Sequence, residues 1–426
     1  MSAGVLLTTF ASNPSLAGGG PAWRVVHLLK AATEAPLTHY SFSAVFIDKV
    51  LRSLDDLPPQ ARDRKFAGLP LLHYLWPTAQ YALRLRLAAR GLRRGGRPLI
   101  VDAHDVPSAY IARRLLPSAP QVLTIHTIGG WVSAGFLQLR PHLQDSRAER
   151  LFRRVETSAV RRADVVVFPS DGAARLFEAA YPGILHGKSV RVVNAGLDVE
   201  AIDRVPAGGA HLQPLGIGGR RLLLCVAAHV HEKGLEVLID AIAALPPETR
   251  AGTALVIAGR GPLSSELESR VRAKGLSDTV YLVGRVPDVI ALMKAADAFV
   301  LPSRATVFDV VFLEAMAARL PVITTRIDGN LEMFGEDAAV LVPPEDPLAV
   351  RDAIVRLLEN APLRRSLAAT ARRRLQERFT LSKMLEGYVS VYESLTAARR
   401  GGYRRDAKER DGGKTGGKTA EQRSPV

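Results

Sequence analysis

An α/β protein with two doubly wound, mostly parallel sheets, one in each half of the chain, is what this sequence predicts. Three observations predict it. Short continuous runs rich in Val, Ile and Leu recur along the whole length, the pattern of strands buried on both faces. Stretches of helical spacing, such as Leu235–Leu245 and Leu263–Lys274, lie between them. The length of 426 residues also exceeds what one hydrophobic core ordinarily serves, so two domains are expected.

In chain order, the first half offers strands at Val5–Phe10, Tyr40–Ile47, Pro98–Ala103, Gln121–His126, Asp164–Pro169 and Ser189–Asn194. The second offers Arg221–Ala228, Thr253–Gly259, Thr279–Val283, Ala298–Pro302, Pro321–Thr325 and Ala338–Val342. Residues 207–220, rich in Gly and Pro with little periodicity, read as the linker between domains 1–206 and 221–380. A last helix is expected over Leu381–Leu395, within 381–396. Residues 397–426 carry nine Lys/Arg against four Asp/Glu and little to bury, so a disordered basic tail is expected there. Within it, Gly412–Thr419 (GGKTGGKT) satisfies a P-loop spacing. The mechanism needs a strand before the glycines and a helix after them, and neither is predicted.

Composition narrows the function. Hydrophobic residues make up 47% and charged residues 23%, the balance of a globular protein. The single thiol, Cys225, lies in the apolar run Leu222–Ala228. It permits no disulfide framework or cysteine cluster and reads as a small core residue of a protein in a reducing compartment. Gly4–Phe10 is short, lacks a basic flank and suits a first strand better than a secretory signal. No run approaches the roughly 18 apolar residues of a membrane span. The expected location is therefore the cytoplasm, with a peripheral position at the inner face of the membrane as a second possibility.

The formal charge of +15 is unevenly placed. Arg84, Arg86, Arg90, Arg93, Arg94 and Arg97 form an acid-free cluster after Leu71, Leu72, Tyr74, Leu75, Trp76 and Tyr81. Such a segment suits an anionic membrane surface, or equally a core helix with a solvated basic face. Nucleic acid is not an expected partner, since no nucleic-acid-binding motif accompanies the charge.

Ligands of doubly wound sheets bind beyond the carboxyl ends of the strands. Gly18-Gly19-Gly20 follows the first strand and precedes a helix expected over Pro21–Ala31, allowing close approach of a ligand to backbone. His104 and His126 end two strands of one sheet (VDAHD, LTIHT). In the second half, HEKGLEVLIDAI sets Lys233 before a helix N-terminus, where an ammonium can meet a diphosphate. IAGRGP (Ile257–Pro262) and VYLVGRVPD (Val280–Asp288) follow. Then ADAFVLPSRATVFDVVFLEAMAARLPVITT (Ala296–Thr325) gives a strand, a loop and a helix bearing Glu314, a carboxylate suited to a ribose diol.

This order and spacing resembles the retaining glycosyltransferases of family four. The resemblance spans about 1–396 and is strongest over 222–345. ETSAVRRADVVVFPS, with Glu156 and Asp164 to Ser170, and VVNAGLD (Val192–Asp198) support it in the first half. It implies the two-domain B fold of facing Rossmann-like sheets, an acceptor-side first domain, a nucleotide-sugar-binding second domain, and a last helix that crosses back. Its donor-binding set would be Gly19, Gly20, Lys233, Gly259, Gly261, Arg285, Val310, Val311 and Glu314. The catalytic set would be His126, Lys233 and Asp309, with His104 as the acceptor-side candidate.

Three departures stand out. The first of the family's two glutamates, eight positions apart, is Thr306; the usual glycine at 309 is Asp309; and the arginine five positions before the lysine is Ala228. Two readings follow for Asp309. It replaces the missing carboxylate at the donor sugar, or its charge repels the diphosphate and ordinary donor chemistry is lost.

The reaction implied is sugar transfer from a nucleotide diphosphate donor, whose base could be uracil, guanine or adenine, to a hydroxyl of a glycan or lipid-linked acceptor. Anomeric configuration would be retained and no metal or other cofactor required. A donor phosphate oxygen would take the acceptor proton, and His126 would position the sugar or polarise the acceptor. A catalytically degenerate nucleotide-sugar-binding or scaffold protein is the alternative, and an epimerase of like architecture a third reading.

Overall fold

The computed structural model describes residues 3–9, 21–34, 40–46, 50–51, 72–93, 97–127, 130, 143–208 and 217–412. The first half consists of β1 (Ala3–Thr8), α1 (Pro21–Glu34), β2 (Tyr40–Val45), β3 (Val50–Leu51), α2 (Leu72–Leu92), β4 (Leu99–Ala103), α3 (Val106–Leu115), β5 (Gln121–Thr124), α4 (Arg147–Arg162), β6 (Val165–Phe168), α5 (Asp171–Ala180), β7 (Ser189–Val192) and α6 (Val199–Arg204). The second half runs β8 (Arg221–Val226), α7 (Leu235–Ala243), α8 (Pro247–Ala251), β9 (Thr253–Ala258), α9 (Ser264–Ala273), β10 (Val280–Gly284), α10 (Val289–Ala295), β11 (Ala298–Leu301), α11 (Val310–Ala317), β12 (Val322–Thr325), α12 (Asp328–Phe334), β13 (Val340–Val342), α13 (Pro347–Glu359), α14 (Ala361–Arg378) and α15 (Leu381–Gly412).

All twelve predicted runs contain strands. They form two sheets, β3-β2-β1-β4-β5-β6-β7 and β10-β9-β8-β11-β12-β13. Pairing is parallel throughout, save where β3 hooks antiparallel onto β2. β3 escaped prediction because two residues carry no periodicity. Strand order reverses beside β1 and beside β8, which opens a crevice at the carboxyl ends of each sheet. Cys225 is buried in the second core, as its apolar surroundings require. Burial also pushes its thiol pKa well up, so it packs as a small apolar group.

The chain returns to the first domain through α15. The Leu197 N–H bonds Phe379 O (2.9 Å) and the Leu381 N–H bonds Leu197 O (3.1 Å). A side chain at Gly196 would come within 2.1 Å of Thr380 O, so only glycine lets the two segments pass. Beyond the crossing, Leu381, Met384, Leu385, Tyr388, Val391, Tyr392 and Leu395 join the core of the first domain at helical spacing. Each such buried side chain contributes about 1.5–3 kcal/mol to holding the domains as one molecule.

The helix was expected to end at 396 and a disordered tail to start at 397; the backbone instead stays helical to Gly412. Residues 397–412 hold five Arg and three Ala, both good helix formers, beside three Gly, and continue a helix already nucleated by packing. The rest of the tail, with the GGKTGGKT stretch after its first glycine, lies outside the described residues, as do Gly18, Gly19, Gly20 and linker residues 209–216.

Candidate active site

The chain leaves β8, turns through a single 3-10 turn at His231–Lys233, and enters α7 through Gly234, whose φ of 61° is left-handed. A Cβ at Gly234 would lie 2.2 Å from Pro302 O, so glycine seats the Lys233 turn against the end of β11. Across that junction, Lys233 Nζ donates to both carboxylate oxygens of Asp309, at 2.6 and 2.8 Å. Each side chain is 17% exposed, enough for solvent or a ligand to reach the pair. Asp309 sits at the N-cap of α11, yet its carboxylate caps none of the helix N–H groups. Val310 and Val311 form the first turn of that helix, at the pole that favours anions.

Glu314 lies one turn further along α11, half-buried, and its carboxylate makes no hydrogen bond or ion pair among the described residues. Burial pushes its pKa up to about 7. Thr306, at the position of the absent glutamate, is buried with Oγ1 unpartnered among the described residues, as is the nearby Ser303 Oγ.

Gly259 and Gly261 have a backbone reason for being glycine. At Gly259 (φ 134°) a Cβ would stand 1.9 Å from Ala227 O, and at Gly261 2.4 Å from His229 O. They let the turn after β9 press on the segment that carries Lys233. Arg285 is exposed just past β10, at the sheet edge and two strands away from β8.

On the facing side, His126 follows β5 as a mostly buried residue, and His104 follows β4 with none of its surface exposed. Their rings stack at 5.4 Å, and His104 Nδ1 lies 3.2 Å from His126 Nε2. The expected acceptor-side contact at His104 does not fit a ring without exposed surface; it stands behind His126. Burial first, then the charges of Arg24 and His104, hold the His126 pKa well below the usual range, so its imidazole is neutral at pH 7.

Behind the pair, Tyr392 of α15 donates to Asp102 Oδ2 at 2.6 Å, and Tyr388 lies 3.3 Å from Thr124 Oγ1. Sequence reasoning missed Asp102, Tyr388, Tyr392 and Arg24. Asp102 alone left a signal, as a carboxylate inside the apolar strand LIVDA. Glu156, which the resemblance drew on, is buried and accepts from the Tyr181 hydroxyl.

The two halves meet across this cleft. Ser170, at the end of β6, donates to Val307 O in the loop leading to Asp309. Glu332 of α12 accepts from the Asp171 N–H (2.9 Å) and from Asn194 (3.3 Å), and Arg175 pairs with Asp328 at 2.9 Å. The carboxyl ends of both sheets therefore face one another.

The "Glycosyltransferase Family 4" model matches residues 19–201 and the "Glycosyl transferases group 1" model residues 211–374. The glycogen synthase of Mycobacterium tuberculosis is 32% identical over 333 residues, 74% of this chain and 73% of its own. The chain belongs to the family-four glycosyltransferases. Sucrose-phosphate synthase from Thermosynechococcus elongatus shares the fold of this transferase with a TM-score of 0.70 at 20% identity, over 93% of this chain and 100% of that one. HepE of Anabaena, in complex with UDP-glucose, gives 0.66 at 18%, over 92% and 99%. The transferase is thus a retaining, two-domain B-fold enzyme that moves a sugar from a nucleotide-sugar.

Proposed function

We propose that the transferase binds a nucleoside diphosphate hexose with the diphosphate at Lys233 and the N-terminus of α11, the ribose at Glu314 and the sugar toward His126. The observation that carries this is the Lys233–Asp309 pair. The Asp309 carboxylate holds the place on the ammonium that a phosphate oxygen would take, two anionic oxygens within 2.8 Å of one Nζ. Donor phosphate displaces it, and Asp309 turns to the sugar hydroxyls in place of the missing glutamate at 306. Lys233 and the helix N-terminus then stabilise the charge that grows on the departing diphosphate. These groups supply the positive potential themselves, so transfer is expected to persist in EDTA.

The relatives point to a glycan acceptor, and UDP-glucose is the first donor to try. α2 adds a lead to an acceptor presented at a membrane. Its inner face buries Tyr81, Leu85 and Ala89, while Leu83 and Leu87 are 58% and 54% exposed beside Arg86, Arg90 and Arg93. No described helix is long and apolar enough to cross a membrane. Such a face suits an anionic lipid surface, and binding to phosphatidylglycerol vesicles but not to phosphatidylcholine vesicles would support it.

Asp309→Gly is the decisive variant. Calorimetry with UDP should show equal or tighter binding, because the competitor for Lys233 is gone, while transfer from the sugar donor falls at least about 100-fold. Undiminished transfer would show that Asp309 only obstructs the site.

A further inference from the structure

A carboxylate with no exposed surface must be compensated, and the way Asp102 is compensated sets the state of the residue at the cleft. Oδ2 of Asp102 accepts from the Tyr392 hydroxyl at 2.6 Å and lies 3.4 Å from His104 Nε2. That nitrogen has no hydrogen-bond partner among the described residues. Its geometry toward Asp102 is loose, but the electrostatic choice is not: a ring lone pair there would face an anion, whereas an N–H would be attracted to it.

With the proton on Nε2, His104 carries a lone pair at Nδ1. The only described polar partner of that lone pair is His126 Nε2, 3.2 Å away. His126 must then donate from Nε2, which leaves its Nδ1 unprotonated on a residue that keeps part of its surface open. Arg24 is buried in the same cluster, bonded to Val193 O at 3.2 Å and electrostatically coupled to Asp102 and Tyr388. It places a guanidinium beside the Asp102 carboxylate.

Resting on the reading of the cleft as the transfer site, we propose that Asp102 and Tyr392 are positioning residues. They fix the tautomers of His104 and His126 so that His126 offers Nδ1 to the cleft as a hydrogen-bond acceptor for a substrate hydroxyl. Tyr392 comes from α15 and Asp102 from β4, so the crossover helix sets the protonation pattern of a cleft residue through Asp102 and His104. An acceptor nitrogen selects hydroxyl over carbonyl or phosphate oxygen, which have no hydrogen to give.

The test reads the ring nitrogens of the full chain, labelled with 15N-histidine, by long-range 1H–15N correlation without any ligand. His126 should show Nε2 protonated and Nδ1 bare, and His104 the same tautomer. A proton on His126 Nδ1, as the Nδ1–H tautomer or as an imidazolium, overturns the proposal. Because this readout needs no donor, it stands apart from whether the cleft binds a nucleotide-sugar, which calorimetry with UDP tests by itself.

Asp102→Leu, of similar bulk but without an acceptor, should lose the single tautomer and lower kcat about tenfold or more, with the donor KM changed less than about twofold. Asp102→Asn, which can keep an oxygen toward Tyr392 and His104, should recover most of the rate. A folded Asp102→Leu protein with normal kcat would mean the cluster only packs. Should that variant fail to fold, Tyr392→Phe makes the same distinction through a smaller fall in kcat.

Discussion

At the ends of β8 and β11, a lysine and an aspartate, each 17% exposed, meet as an ion pair. At the ends of β4 and β5, two histidines back onto a carboxylate with no exposed surface. Neighbouring strand ends near the middle of two sheets of like strand order thus hold opposite kinds of polar group. An ion pair at a cleft surface contributes little to stability and can exchange one partner for a phosphate. A buried cluster cannot exchange partners without leaving a group unsatisfied, so it orients rather than binds. On the proposed reading, the second sheet would receive the donor's charge and the first would present neutral groups to hydroxyls.

The contrast can be broken most sharply at Lys233. Lys233→Ala should lower kcat by about 10²–10³, the loss of roughly 3–4 kcal/mol of charge stabilisation at the leaving diphosphate. Steady-state kinetics check it, and a protein melting within a degree or two of the parent would show that the pair serves chemistry rather than folding. Gly234→Ala attacks the same site through the backbone. Its left-handed φ and the approach to Pro302 O should cost about 2–3 kcal/mol, read as a Tm lowered by several degrees.

Glu314 is a half-buried carboxylate on the same side of the cleft as the ion pair. Its folded pKa of about 7 lies above its unfolded value, so the folded protein holds this proton more tightly. The group's contribution to stability is full below about pH 4.5 and is lost as pH rises through 7. Glu314→Gln should therefore match the parent near pH 4.5 and melt higher at pH 8, by as much as about 3 kcal/mol. The same variant should bind UDP about tenfold more weakly, since a ribose diol donates best to an ionised carboxylate. For the same reason, parent affinity for UDP should rise with pH through 7. The smallest effect is expected at Tyr388→Phe, which removes one buried hydroxyl and its contacts to Thr124 and Arg24. About 1 kcal/mol of stability should go in denaturant titration, with UDP affinity unchanged.

Much of the architecture was legible because it rests on local patterns. Strands such as Val165–Phe168 and Ala298–Leu301 are buried on both faces and read as apolar runs whatever they pair with. Lys233, Glu314, Gly259 and Gly261 were legible through spacing around strand ends, though the close approaches that demand the glycines were not. β3 was too short to register, and the extension of α15 to Gly412 ran against its basic, glycine-containing composition.

By itself, then, the sequence determined the two sheets and the strand ends at which to look for a site, since burial periodicity and turn residues are properties of neighbouring positions. Tertiary structure alone decided that Asp309 closes on Lys233, 76 positions away, and that His104 lies behind His126 rather than beside an acceptor. It also decided that Tyr392 reaches Asp102 across 290 positions. Those contacts join residues that share no local pattern. They exist because the return crossing of α15 and the facing of the two sheets bring distant polar groups into one low-dielectric space, where each must find a partner.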